Sequence, residues 1–121
     1  MSGSDKRDSR RVILKGPAVV RFQAAGRLFD RIPMANLSHG GCLAMVPFED
    51  AGALCIDAPV RELMITYPGM PANPIVARVA WTMAHAEGDQ VAVGLQFQEM
   101  TSDTRIALVA LVDAVVLQQP R

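Results

Sequence analysis

The sequence is poor in aromatic residues, in cysteines and in long hydrophobic runs. Aromatics make up 5% of the 121 residues, whereas hydrophobic residues of all kinds make up 50%, which is enough for a core. No run approaches the roughly 20 consecutive apolar residues of a membrane-spanning helix. Lys6 and Arg7 near the start are followed by no apolar stretch, so we predict no signal peptide. Length and composition together predict one domain in the cytoplasm.

Two cysteines and two histidines are too few and too scattered for a metal site. Cys42 and Cys55 lie in apolar surroundings without a CxxC spacing, and we expect two small buried residues in a reduced compartment; a disulfide is the alternative. His39 falls in a glycine turn and His85 near a strand end, and neither has the partners of a catalytic triad at a recognisable spacing. We therefore predict no catalytic residue, no metal and no cofactor. His39 is expected as a solvated turn residue or a rim contact.

Charge is balanced over the whole chain but is concentrated at its start. Residues 1–21 contain six basic and two acidic side chains, a net charge of +4, so the other hundred residues carry −4. Proteins that bind DNA or RNA nonspecifically are usually basic over a whole face, whereas the strand arginines Arg21, Arg31 and Arg78 are interrupted by acids. We therefore predict no nucleic-acid partner. A basic end suits a compact anion, and equally a solvated tail.

Most of the chain alternates between apolar and polar residues, as antiparallel strands do. Val91–Gln98 has the clearest period of two. The predicted strands are Ala18–Ala24, Arg27–Leu37, Cys42–Val46, Val60–Tyr67, Ile75–Ala84 and Val91–Gln98. Thr101 to Asp103 offers a helix N-cap and an acidic first turn, and no Gly or Pro follows from Thr104 to Gln118, which predicts a helix over about 101–118. Short strands followed by one helix predict a small antiparallel barrel closed by a C-terminal helix.

Three features of this pattern are less regular. Pro33 in the second strand predicts a bulge or a sheet edge, because proline cannot donate to the ladder. The segment Pro47–Pro59 resembles no regular element, and its apolar side chains are expected to cap the core from a loop; these are Phe48, Leu54 and Ile56. In the helix, Ile106 and Leu117 fall outside the apolar stripe, which predicts partial burial against a loop or, alternatively, a dimer contact. That stripe consists of Leu108, Val112 and Val115.

Residues 1–11 are predicted to form a flexible basic arm, and residues 12–121 a single domain. Arg7 and Arg11 in the arm are four residues apart, with Arg10 between them. Guanidinium groups are planar, bidentate donors that suit phosphate oxygens and the O6/N7 edge of guanine, and they also stack on purine faces. The arm could therefore hold an anionic purine nucleotide.

A second polar cluster lies between the second and third predicted strands. Asn36 and Ser38 offer an amide and a hydroxyl to a base or ribose. Gly40 and Gly41 permit positive φ and leave no Cβ in the way of a close ligand. With the basic arm folded over it, this cluster would clamp a purine nucleotide; an ordinary hairpin turn is the alternative.

In this order and spacing, the two clusters resemble the signature of the PilZ domain family. That signature is RxxxR followed, past a hairpin, by [D/N]xSxxG, here Arg7 and Arg11 and then Asn36, Ser38 and Gly41. Two later segments, Val79-Ala80-Trp81 and Gly94-Leu95-Gln96-Phe97, resemble further strands of the family. The resemblance therefore extends from Lys6 to about Leu117. Asn36 replaces the commoner Asp, which removes a charged acceptor for guanine but keeps a carbonyl acceptor.

The resemblance implies a bacterial, cytoplasmic receptor or adaptor with a six-stranded antiparallel β-barrel and a C-terminal α-helix. It would bind cyclic di-GMP at one end of the barrel and relay this signal to an unidentified protein partner, as a monomer or homodimer. The implied ligand-binding residues are Arg7, Arg10, Arg11, Asn36, Ser38, Gly40 and Gly41. The alternative is a PilZ-fold module for protein–protein interaction that does not bind cyclic di-GMP.

Overall fold

The computed structural model describes residues 10–84 and 88–118. Its strands are β1 (Val19–Ala24), β2 (Arg27–Leu37), β3 (Gly41–Pro47), β4 (Pro59–Thr66), β5 (Ile75–Ala84) and β6 (Gln90–Glu99). They form a closed barrel in the order β1-β2-β3-β6-β5-β4, and every neighbouring pair is antiparallel. A four-residue helix, α1 (Phe48–Ala51), follows β3, and α2 (Ser102–Gln118) follows β6.

The predicted six-stranded antiparallel barrel with a C-terminal helix is confirmed. The predicted flexible arm, residues 1–11, lies outside the described residues apart from its last two.

Alternating side chains fill the barrel, as the period-two pattern predicts. The inward-facing side chains of β6 are all buried; these are Val91, Val93, Leu95 and Phe97. On the far side of the barrel, Phe22 and Phe29 stack with ring centroids 4.9 Å apart. Helix α2 contributes Leu108 and Val112 to the same core. Each such side chain stabilises the fold by roughly 1.5–3 kcal/mol when fully buried, so aliphatic residues can supply most of this core.

A bulge in β2 lies just before Pro33. Val20 pairs with Ile32 and Phe22 with Phe29, so two residues of β2 oppose Arg21 alone. Arg31, inside the bulge, has a φ of +55°. The alternative of a sheet edge is wrong, because β2 pairs with β1 on one side and with β3 on the other.

Three expectations for the segment after β3 are wrong. Phe48 and Ile56 are 66% and 59% exposed, and only Leu54 reaches the core. Leu54 fills this part of the core, and Ala51, Ala53 and Ala58 pack against it, so Phe48 and Ile56 are left outside. Both cysteines are free thiols, but only Cys42 is buried; Cys55 is exposed in the turn after α1.

Helix α2 buries one stripe and exposes the opposite one. Leu108 and Val112 face the barrel, whereas Ile106 and Leu117 are 68% and 85% exposed. Their predicted partial burial is therefore wrong, because the loops around the barrel do not cover this side of the helix. Across residues 10–84 and 88–118, neither helix has the length and apolar character needed to cross a membrane.

Candidate functional site

The chain enters the barrel beside the end of β2, and this brings the two polar clusters together. Val12 is buried and bridges to Leu37, with each backbone N–H donating to the other residue's carbonyl at 2.8 and 2.9 Å. Arg11 and Asn36 adjoin this bridge, and Arg11 Nη1 donates to Asn36 Oδ1 at 3.0 Å. One member of each predicted motif is therefore in direct contact with the other.

The structure gives little about the other two predicted arginines of the arm, Arg10 and Arg7. Arg10 is exposed, and it follows directly on the part of the chain that the structure leaves undescribed. Arg7 lies outside the described residues, as does His85.

Ser38 holds the turn between β2 and β3 in shape. Its hydroxyl is buried, donates to the Gly41 carbonyl at 3.2 Å, and accepts from the backbone N–H groups of Gly40 and Gly41 at 3.3 and 3.1 Å. A serine side chain that satisfies nearby backbone groups in this way stabilises a tight turn. In the structure, this hydroxyl therefore shapes the site and is not directed at open space.

Gly41 is needed because two backbones approach each other closely. A Cβ on Gly41 would lie 2.2 Å from the Leu95 carbonyl oxygen. Neither Gly40 nor Gly41 is among the glycines with positive φ, so the turn does not use the positive φ that they permit. Gly40 adds a backbone bond, because its carbonyl accepts from the N–H of Phe97 at 2.8 Å. The turn is thus fixed against β6.

A cavity of about 380 Å³ opens beside this turn, on the outer face of β5 and β6. The residues that line it come from the arm, the turn and both strands; they are Arg11, Ser38, Gly40, Gly41, Arg78, Ala80, Trp81, Gly94, Leu95 and Gln96. Six of the seven predicted site residues are described, all except Arg7. Four of these six line the cavity, namely Arg11, Ser38, Gly40 and Gly41, whereas Arg10 does not. Asn36 does not line the cavity but accepts a hydrogen bond from Arg11, which does.

A second bulge gives the cavity its aromatic wall. Val79 pairs with Leu95 and Trp81 with Gly94, so Ala80 is an extra residue in β5. This bulge places Trp81 on the same outer face as Arg78, although the two are three residues apart. A Cβ on Gly94 would lie 2.4 Å from Trp81 Nε1, so the indole lies directly over this glycine.

Arg78 and Trp81 are the cavity residues that the sequence prediction missed as site residues. The family resemblance includes Trp81 only as part of a strand. The charge pattern includes Arg78 only as one of three strand arginines that are interrupted by acids. Strict alternation would have put their side chains on opposite faces of β5. A predicted bulge at Ala80 would have placed both side chains on one face, but the sequence has no Gly or Pro there to indicate it.

The charges around the cavity come mainly from two arginines. Arg11 contacts the neutral amide of Asn36, whereas Arg78 Nη1 donates to Asp57 Oδ1. Burial raises the pKa of the nearby Cys42 thiol to about 12, and Arg11 partly opposes this shift. Since the thiolate is the nucleophilic form, Cys42 is a structural residue here.

His39 connects the turn to the C-terminal helix. Its Nε2 lies 2.9 Å from Asp113 Oδ1 on α2. The residue was predicted to be solvated or at the rim, and its ring is in fact only 26% exposed in this pair. The sequence could not indicate the contact, because the partners are 74 positions apart. Within the described residues, no group of three or more His, Cys, Asp and Glu side chains could hold a metal ion.

Several solved structures share this fold at low sequence identity. The inhibitor of motility MotI/DgrA of Bacillus subtilis has a TM-score of 0.72 and 18% identity, covering 91% of this chain and 50% of its own. The MrkH–c-di-GMP complex of K. pneumonia has a TM-score of 0.69 and 15% identity, covering 90% and 52%. The PilZ domain of YcgR from Escherichia coli, solved with c-di-GMP, has a TM-score of 0.66 and 12% identity, covering 90% of each chain.

These structural matches establish the fold, and the chain spans about half the length of MotI/DgrA and MrkH. No curated protein matches the chain in sequence. A family model, the PilZ domain, matches residues 5–114. That range covers most of the 121 residues and includes both polar clusters and all six strands. The chain therefore belongs to the PilZ domain family.

Proposed function

We propose that this chain is a receptor or adaptor that binds cyclic di-GMP in the cavity beside the Asn36–Gly41 turn. The observation that carries this proposal is the hydrogen bond from Arg11 to Asn36, at 3.0 Å, on one side of a cavity with Arg78 and Trp81 on the other. Membership of the PilZ family, and the c-di-GMP complexes of MrkH and the YcgR domain, support the identity of the ligand.

Arg11 and Asn36 would exchange their mutual hydrogen bond for bonds to the ligand. The Arg11 guanidinium suits a phosphate or the O6/N7 edge of guanine. The carbonyl of Asn36, once released, can accept from the guanine N1–H and N2–H₂ groups. Because Asn36 is neutral, no ion pair has to be broken when the two side chains separate, and the bonds to the ligand replace the one that is lost.

Ser38, Gly40 and Gly41 would act mainly through the shape of the turn. The Ser38 hydroxyl is already bonded to the turn backbone on three sides. It is therefore a positioning residue, which holds Asn36 and the glycines where a base can approach the backbone. Gly41 keeps β3 close to β6 and so keeps the turn at the cavity.

Arg78 and Trp81 would complete the site from β5. A base can stack on an indole, and such stacking is worth roughly 1–3 kcal/mol per base. Arg78 offers a second guanidinium to a ligand with two phosphates. Arg7 and Arg10 would be added by the arm when it folds over the ligand, and this ordering would be the signal that a downstream protein reads.

Calorimetry with Arg11→Ala tests this assignment. We expect the intact chain to bind cyclic di-GMP but neither cyclic di-AMP nor GTP with comparable affinity, and we expect binding to weaken with added salt. Loss of a hydrogen bond to a charged group costs roughly 1.5–3 kcal/mol, so Arg11→Ala should weaken binding by about 10- to 100-fold.

Arg27→Ala is the matched control for that substitution. Arg27 also makes an exposed hydrogen bond, to Asp50 at 2.7 Å, but it begins β2 whereas Asn36 is next to the end of that strand. Its removal should leave binding unchanged. Absence of heat with the intact chain would contradict the proposal, and so would equal losses in the two variants.

A second candidate function is an interaction module that does not bind the nucleotide. It is favoured by the exposed apolar side chains of Ile106 and Leu117 on α2. A protein partner captured equally well with and without cyclic di-GMP, and lost in an Ile106→Ser, Leu117→Ser variant, would support this alternative.

A further inference from the structure

The cavity's second arginine already has an anionic partner. Arg78 Nη1 donates to Asp57 Oδ1, and the two side chains are 34% and 74% exposed. Asp57 itself does not line the cavity; it reaches the cavity only through Arg78. The charge of Arg78 is therefore compensated by a carboxylate that is not part of the cavity lining.

Backbone bonds hold Asp57 on β5 independently of its carboxylate. Its N–H donates to the Val79 carbonyl at 2.7 Å, and the Val79 N–H donates to the Ala58 carbonyl at 3.0 Å. Asp57 has a φ of +73°, a conformation that aspartate and asparagine tolerate better than most residues. The turn can therefore keep its position on β5 when the side chain releases Arg78.

The contrast with Arg11 shows what this pair does to the cavity. Arg11 is bound to a neutral amide and keeps its full charge, whereas Arg78 is bound to a carboxylate. Exposed Arg–Asp pairs contribute little to stability, so structural support is a weak reason for this carboxylate. The carboxylate of Asp57 does lower the positive potential beside Trp81, because it is in contact with the Arg78 guanidinium that lines the same cavity.

We propose that Asp57 is an internal competitor for Arg78 that sets how strongly the cavity attracts anions. In the empty cavity, Asp57 compensates the Arg78 charge; an anionic ligand must displace the carboxylate before it can use this guanidinium. Where the anion is cyclic di-GMP, this inference rests on the proposed function. The effect on the cavity's potential does not depend on that ligand.

Iodide quenching of Trp81 tests the effect without any nucleotide. Trp81 is the chain's single tryptophan and lines the cavity, so its fluorescence reports anions that enter there. Asp57→Asn keeps a residue that tolerates positive φ and removes only the charge. We expect this variant to raise the Stern–Volmer constant for iodide about 1.5- to 3-fold, while quenching by neutral acrylamide stays unchanged.

Two controls separate a local effect from a general one. Asp50→Asn removes the acid from the comparable Arg27–Asp50 pair, so it changes net charge equally but does not touch the cavity. Adding Arg78→Gln to Asp57→Asn should abolish the increase, because the unmasked cation is then gone. Unchanged iodide quenching in Asp57→Asn would overturn the proposal, and so would equal increases in Asp57→Asn and Asp50→Asn.

Calorimetry extends the test to the nucleotide. If the proposed function is correct, Asp57→Asn should bind cyclic di-GMP about two- to fivefold more tightly than the intact chain. Raised iodide quenching without any nucleotide binding would support the role of Asp57 and count against cyclic di-GMP as the ligand. Tight nucleotide binding that Asp57→Asn leaves unchanged or weakens would overturn the competitor role.

Discussion

Gly41 lies against β6, and no side chain fits there. The atom that a Cβ would meet is the backbone carbonyl oxygen of Leu95, at 2.2 Å, which cannot move without disturbing the β3–β6 ladder. This glycine therefore affects both the strand pairing and the position of the site. It permits the strand pairing, and the pairing in turn places the polar turn at the cavity.

Gly41→Ala should destabilise the protein by about 1–3 kcal/mol, the usual cost of forcing an extra group into a packed site. Gly52→Ala is the control, because it has no heavy atom within 4 Å of the added Cβ and already has a helical φ of −60°. Urea denaturation would measure both. Similar stabilities of the two variants would contradict the close-approach argument.

Individual site residues could be predicted from the sequence only where a motif marks them. Arg11 and Asn36 were identified by their order and spacing, and they are in contact. Arg78 and Trp81 were not, because the side-chain directions in β5 depend on a bulge at Ala80 that alternation does not reveal. Asp57 was not, because its contact with Arg78 joins residues 21 positions apart. The role of Ser38 within the turn also required the atomic contacts, since a serine can bond equally well to a backbone or to a ligand.

The strands and the C-terminal helix were predicted to within a few residues, because long periodic segments carry their own signal. Segments without periodicity were predicted less well. Helix α1 has four residues, too short for a helical period to show. The exposure of Ile106 and Leu117 depends on which loops lie near α2, and that is a property of the assembled barrel.

Helix α2 begins at a cap that the sequence already indicated. Thr101 Oγ1 accepts from the Thr104 N–H at 3.2 Å and also contacts the Thr104 hydroxyl at 3.0 Å. Because Thr104 is fully buried, loss of this partner would leave its hydroxyl without a hydrogen bond. The cap therefore fixes both the start of α2 and the packing of its first turn.

Thr101→Ala should reduce the free energy of unfolding by about 1–2 kcal/mol, in the range measured for lost N-caps. Ser102→Ala is the neighbouring control, since Ser102 is exposed in the first turn and its substitution should cost much less. Thermal and urea unfolding of both variants would measure the difference. A larger loss in Ser102→Ala would show that the cap has been assigned to the wrong residue.

At the scale of the whole molecule, the barrel brings together groups that are far apart in the sequence. The Val12–Leu37 bridge places Arg11 beside the end of β2, while the order β3-β6-β5 places Trp81 and Arg78 beside the turn. A strand order cannot be read from periodicity, so the family resemblance was needed to predict that the clusters meet. The structure shows in addition that Arg78 and Trp81 of β5 line the same cavity.

A second groove on the barrel gives a comparison within the same molecule. It has a volume of about 740 Å³ and lies between β1, β2 and β4, and its lining includes Arg21 and Arg31 together with Asp30. It therefore offers guanidinium groups but neither Trp81 nor the Asn36–Gly41 turn. A nucleotide attracted only by guanidinium groups could therefore bind in this groove as well.

The most direct test of the account is an amide and indole NMR titration with cyclic di-GMP. We expect the largest shifts at the Trp81 indole N–H, the Asn36 side-chain amide, and the backbone of Gly40 and Gly41, with little change around Arg21. No shifts at saturating nucleotide, or shifts centred on the groove at Arg21, would contradict the claim that the two motifs and β5 form one binding site.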